Sequence, residues 1–509
     1  MIRRVLTENG WVRGLPAADP RVTAYKGIPY AAPPVGDNRW RAPQPCPDWD
    51  GELFACDFSP IPMQAPIQAD PNSLYDREWH VDREQPMSED CLTLNIWAPA
   101  DGRKDLPVFV WFFGGGLQVG YSAEMEFDGE RLARRGIVVV TLNYRVGVFG
   151  FLCHPEITAE APEAPANFGF LDQQAALRWV QRNITAFGGD PKRVTIGGQS
   201  AGGMSVCAQM TCPASAGLFR AAIVQSGVFA KPYPADLGLT HDFAEAQRTG
   251  QRFFDFIGVH SLAEARAMDA VTLRDKALAW EAIHGWAKSF GEAVDGVFST
   301  RSSQEWYLQE DRIRCPVLLG STDSEFMVDV PAATPEELRR FAWEAYGDRA
   351  DAFLALFDGA ETGAEIQARG RLQSIAFAMR LAAAVNARDS APAPLYPYVF
   401  ATDIPGPDHP GTFHSVDLWF FFESLAKCWR PFAGRHYDLA RQMCDYWANF
   451  IRTGDPNGLG SHGELLPVWP EADPADPQIM RFAETAAAVR NPVSPVEGFV
   501  LDWALSHLL

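Results

Sequence analysis

Val194-Thr195-Ile196-Gly197-Gly198-Gln199-Ser200-Ala201-Gly202-Gly203 decides the fold. A short β-branched run stops at a G-x-S-x-G pentapeptide, and helix-compatible residues follow from Met204. A serine at a sharp strand-to-helix turn is held in a strained backbone conformation. Gly198 and Gly202 flank it because a Cβ at either position would collide with the turn. The hydroxyl is thereby thrust out of the sheet. The helix that follows aims its N-terminal amides and positive dipole end at the point where an oxyanion forms. The pentapeptide alone is a weak signal, since a Gly-rich loop reads the same way. Its weight comes from the strand before it and from two further strand-end motifs.

On both sides of this turn, short apolar runs alternate with helical patterns. Residues 108–112, 137–142, 194–196, 221–224 and 316–319 read as central strands, and residues 171–187 as a covering helix. This alternation is the signature of an α/β fold with a large, mostly parallel sheet covered by helices. In such sheets, ligand chemistry gathers at the carboxyl ends of the strands. Phe113-Gly114-Gly115-Gly116-Leu117 stands at one of those ends. Three consecutive glycines let backbone N–H groups turn inward, so the amides of Gly115 and Gly116, with that of Ala201, are candidate oxyanion donors. A plain structural turn is the competing reading of the same glycines.

With 509 residues and 47% hydrophobic content the chain can bury a large core. No linker, charge block or repeat divides it, so residues 1–509 read as one catalytic domain. Stretches near 61–87, 235–300 and 330–385 are less strand-like and read as insertions that cap the site. A net charge of −20 opposes binding to nucleic acid or to anionic membrane surfaces. Two arginines near the N-terminus precede a polar stretch where a signal peptide needs an apolar run. No window is apolar enough to span a membrane. Nine cysteines, an odd number without CxxC pairs, read chiefly as buried thiols in a reduced, cytoplasmic setting, with a Cys56–Cys91 bridge as the open alternative.

Further ordered matches extend along the chain. Lys26 to Gly36, Ser88-Glu89-Asp90-Cys91-Leu92-Thr93-Leu94-Asn95, Asn143-Tyr144-Arg145, Phe187 to Gly202, Gln225-Ser226-Gly227 and Gly454-Asp455-Pro456-Asn457 together resemble the type-B carboxylesterase and cholinesterase family. The likeness spans nearly the whole chain. It implies the α/β-hydrolase fold and a Ser…Glu…His triad made of Ser200, Glu325 and His414, in the chain order such enzymes use. Two competitors stand beside these assignments: Asp323 for the acid and His409 for the histidine.

The resemblance further implies a serine carboxylesterase acting on small to medium esters through an acyl-enzyme, with no metal or organic cofactor. A lipase for longer acyl esters and a catalytically silent binding protein are the alternatives. Gln199 stands where many relatives have glutamate, and Phe113 where many have His or Tyr. Both departures imply altered substrate preference or pH response. Ser226 resembles a family position that supports the acid from a second layer. Residues 59–64 lack the cysteine that secreted relatives pair with the counterpart of Cys91. Trp419-Phe420-Phe421-Phe422 reads either as pocket lining or as core.

Overall fold

Burial on both faces is what makes the central strands read as unbroken apolar runs, and the computed structural model, which describes residues 1–68, 70, 72–79, 82–233 and 240–507, shows it directly. The main sheet contains β1 (Leu15–Pro16), β2 (Val22–Pro29), β3 (Thr93–Pro99), β4 (Leu106–Phe112), β5 (Val138–Leu142), β6 (Gly189–Gln199), β7 (Ala221–Gln225), β8 (Val317–Thr322), β9 (Leu395–Phe400), β10 (Gln478–Phe482) and β11 (Ala486–Arg490). Their order across the sheet is β11-β10-β9-β8-β7-β6-β4-β5-β3-β2-β1. From β10 to β5 every neighbouring pair is parallel. The strands outside that run pair antiparallel. Every strand expected from the sequence lies in the parallel run, where β4, β5, β7 and β8 are buried at every position.

The main helices are α1 (Phe168–Asn183), α2 (Ala201–Thr211), α3 (Phe243–Ile257), α4 (Ala270–His284), α5 (Pro335–Tyr346), α6 (Ser374–Arg388), α7 (Gly434–Thr453) and α8 (Pro495–His507). The helix expected over 171–187 is α1. It closes at Asn183, and Ile184–Phe187 continue as a tighter 3₁₀ turn into Gly188 at φ +88°. Every residue of α2 is buried, so the helix that carries the elbow serine is fixed in the core.

Ion pairs and buried carboxylates fasten the segments near 61–87 and 235–300. Glu78 and Arg430 form a fully buried pair at 2.5 Å, which ties the first insertion to the segment after the histidine loop. Glu292 is buried in the second and accepts hydrogen bonds from Ser299 Oγ, Ser303 N and Ser303 Oγ. Of the first two insertions, residues 69, 71, 80, 81 and 235–239 lie outside the described residues. In the third, α6 packs against β8.

Trp419, Phe420, Phe421 and Phe422 are all fully buried. Phe421 and Phe422 pack against Phe109, Trp111, Phe127 and Trp447, so the aromatic run is core. All nine cysteines are free thiols, Cys56 and Cys91 included. Among the described residues no helix is long and apolar enough to cross a membrane.

Candidate active site

Because β4, β6, β7, β8 and β9 run parallel, their carboxyl ends share one edge of the sheet. The glycine loop follows β4, Ser200 follows β6, Ser226 follows β7, Glu325 follows β8, and His414 lies on the loop beyond β9.

Ser200 has φ 56° and ψ −126°, between the end of β6 and the first residue of α2. Such backbone costs roughly 1–3 kcal/mol and persists only where surrounding contacts over-determine it. Here Ser200 N donates to Gln225 O at 2.8 Å, and Met204 N donates to Ser200 O at 3.0 Å. A Cβ on Gly198 would lie 2.2 Å from Gly202 O, and one on Gly202 would lie 2.1 Å from Phe112 O. Both glycines are therefore steric requirements of the elbow.

The glycine loop after β4 turns by a similar device. Gln118 N and Val119 N both donate to Gly115 O at 3.0 Å, and Gly115 and Gly116 take φ +107° and +66°. Among the described residues the amides of Gly115, Gly116 and Ala201 have no acceptor, which leaves all three donors free. The loop touches Ser200: a Cβ on Gly114 would meet Gln199 O at 2.7 Å and Ser200 Cβ at 3.2 Å. Phe113 is turned away and stacks on Tyr144 with ring centroids 4.1 Å apart.

Glu325 and His414 meet. His414 Nδ1 lies 2.8 Å from Glu325 Oε2. Glu325 Oε1 accepts from Ser226 Oγ at 2.5 Å, Thr322 N at 2.9 Å and Thr322 Oγ1 at 3.1 Å. Burial pushes this carboxyl upward, but the His414 charge and the hydrogen bonds from His414, Ser226 and Thr322 outweigh it, leaving the acid below its ordinary 4.5. An ionised Glu325 accepts a hydrogen bond from Nδ1–H, and in that neutral tautomer His414 Nε2 is an acceptor. The amide nitrogen of Gln199 lies 3.1 Å from Nε2 and donates to it.

Asp323 and His409 are elsewhere. Asp323 Oδ2 accepts from Arg481 at 3.2 Å and its Oδ1 from Thr412 Oγ1 at 3.3 Å. His409 is exposed in a loop.

The strengthened acidity of Glu325 has a consequence for stability. Its ionisation favours the folded state above the ordinary glutamate value of 4.5, and that stability is lost as pH falls through the lowered value. The difference in melting temperature between the wild type and Glu325→Gln is expected to be widest near pH 7 and to shrink below pH 4.5. A difference that stays constant with pH would contradict a carboxylate held ionised by the fold.

Several neighbours of the site gave no sequence signal. Thr322 supplies two of the donors to Glu325, yet as the last residue of β8 it reads as ordinary strand. Asp417 is fully buried beneath the site, accepts from Tyr398 Oη at 2.7 Å and Gln225 Nε2 at 3.1 Å, and is pushed by burial up to about 6. Two half-exposed aromatics flank the reacting groups. The Phe326 ring meets the His414 imidazole edge-on at 4.8 Å, and the Trp286 indole stands 3.1 Å from where a Cβ on Gly116 would lie.

Residues 3–344 and 363–496 match the Carboxylesterase family. Para-nitrobenzyl esterase of Bacillus subtilis is 34% identical over 474 residues, covering 89% of this chain and 90% of that protein. Fumonisin B1 esterase of Sphingopyxis macrogoltabida is 32% identical over 474 residues, covering 90% and 83%. Among solved structures, a PNB esterase superposes with a TM-score of 0.79 at 28% identity, covering 98% of this chain and 99% of its own. A Geobacillus stearothermophilus carboxylesterase gives 0.74 at 29% identity, covering 98% and 100%. A strained serine elbow, three free amides shared between the glycine loop and the start of α2, and a glutamate-bound imidazole thus lie in a chain that matches over nearly its whole length, and the chain belongs to the carboxylesterase family, as a serine carboxylesterase on an α/β-hydrolase fold.

Proposed function

We propose that Ser200 is the nucleophile, His414 the general base and acid, and Glu325 the carboxylate that holds the imidazole, with the amides of Gly115, Gly116 and Ala201 as the oxyanion hole. The observation that carries this reading is the 2.8 Å contact between His414 Nδ1 and Glu325 Oε2 on the same sheet edge as a serine at φ 56°. His414 takes the Ser200 proton as the hydroxyl attacks the ester carbonyl. It returns the proton to the departing alcohol and then activates water to release the acyl group. For this, Nε2 exchanges the Gln199 amide for the serine hydroxyl, giving up a neutral hydrogen bond with a net contribution of about 1 kcal/mol. Ser226 supports Glu325 by donating to the oxygen that faces away from the imidazole.

Residues 1–509 act as one catalytic domain, with the segments near 61–87, 235–300 and 330–385 forming its cap. Small to medium esters are the substrates. The aromatic surfaces of Trp286 and Phe326 support esters with a flat acyl or alcohol group, in keeping with a para-nitrobenzyl esterase among the relatives. The nine free thiols support a reduced, cytoplasmic setting. A panel of p-nitrophenyl acetate, p-nitrophenyl butyrate, p-nitrobenzyl acetate and long-chain emulsified esters tests the reading. Fastest kcat/KM is expected on the short acyl and p-nitrobenzyl esters. Preference for long emulsified chains would favour a lipase, and no turnover on any member would favour a silent binding protein.

A further inference from the structure

A cavity of about 620 Å³ opens between the sheet and α6, and neither Ser200, Glu325 nor His414 lines it. Its volume falls within the range of small-molecule sites. Val399 of β9 and Arg481 of β10 are direct cross-strand partners on its floor. Met379 and Ala384 of α6 and Leu501 of α8 give the cavity an apolar stretch, with Asp473 and Glu497 at its margins. A helix laid on a sheet ordinarily fills the space with large side chains; the short Ala384 side chain leaves part of it open.

Among the described residues four arginines line the cavity, and three are engaged: Arg380 with Glu497, Arg371 with Asp329 and Arg369 with the Asp358 carbonyl. Arg481 makes a single contact, at 3.2 Å, with Asp323, and the two side chains are 41% and 37% exposed. Among the described residues its remaining guanidinium donors have no acceptor. An apolar stretch beside a guanidinium with spare donors is the chemistry that recognises a carboxylate on a hydrocarbon chain.

The same arginine connects the cavity to the reacting groups. Asp323 lies two residues before Glu325, and its other oxygen accepts from Thr412, two residues before His414. Asp323 therefore straps the acid loop to the histidine loop, with Arg481 as its counter-ion. A carboxylate that engages Arg481 draws that counter-ion from the strap.

We propose that this cavity binds a medium-chain carboxylate, the acid product class of ester hydrolysis, and that its occupation lowers turnover without blocking the ester site. The choice of ligand rests on the carboxylesterase reading. The site itself rests on the cavity and on Arg481.

Decanoate is the probe. With the intact protein first labelled at Ser200 by a fluorophosphonate, calorimetry is expected to show one decanoate bound per chain. Ala384→Trp, which fills the apolar stretch, and Arg481→Gln, which removes the cation, should each weaken that binding at least tenfold. In unlabelled enzyme, decanoate should lower kcat for p-nitrophenyl acetate severalfold at unchanged KM, and Ala384→Trp should keep its basal kcat while losing the inhibition. Absence of binding to the labelled protein, or a rise in KM alone, would overturn the proposal by assigning decanoate to the ester pocket. Failure of the label to react would count against Ser200 instead, and the titration would then be made on Ser200→Ala.

Discussion

Ser200→Ala is expected to lower kcat for p-nitrophenyl butyrate by about 10⁴ to 10⁶, the scale on which removal of a triad nucleophile acts in serine hydrolases. The fold should survive. The strain at φ 56° is imposed by Gln225 O, by the first turn of α2 and by two glycines with no room for a Cβ, none of which depends on the hydroxyl. The melting temperature should therefore stay close to that of the wild type, separating lost chemistry from lost structure. Equal kcat in the two proteins, measured after removal of any contaminating esterase, would end the assignment of Ser200.

Glu325→Gln is expected to cost about 10⁴ in kcat, whereas Asp323→Asn should cost less than about tenfold. The difference follows from the donors around Glu325. Ser226 Oγ, Thr322 N and Thr322 Oγ1 all point at Oε1, so a glutamine must turn its carbonyl toward them. Its amide N–H then faces His414 Nδ1 and forces that nitrogen to accept. The imidazole proton moves to Nε2, the one atom that must be free to receive the serine proton. Among the described residues the Asp323 carboxylate meets Ser324, Thr412 and Arg481 but no imidazole, so an amide there changes no tautomer. Steady-state rates of the two variants decide the matter, and the opposite ranking would make Asp323 the acid.

Local chemistry explains which parts of the molecule were legible in the sequence. The elbow was readable because its strand, its glycines and its serine are contiguous, and because β4 to β8 carry the apolar runs of doubly covered strands. The edge gives weaker signals: β11 is buried at Ala486 and otherwise alternates between intermediate and exposed positions, so no apolar run marks it. Glu325 and Asp323 look alike two residues apart. What separates them is a set of donors from Ser226, just past β7, and from Thr322 of β8, and sequence spacing carries no record of it. The aromatic run at 419–422 was ambiguous for a related reason, since pocket and core demand the same side chains and only packing tells them apart. Gln199 was visible as a departure from relatives, but its contact with His414 joins residues 215 positions apart.

The parallel strands have two rims, and the reacting groups use one. Chain segments that enter the strands, such as the exposed residues Ser390, Ala391 and Pro392 ahead of β9, lie on the other. A tether or fused partner attached there would anchor the enzyme by its back, leaving the ester entrance facing open solution on a solid support.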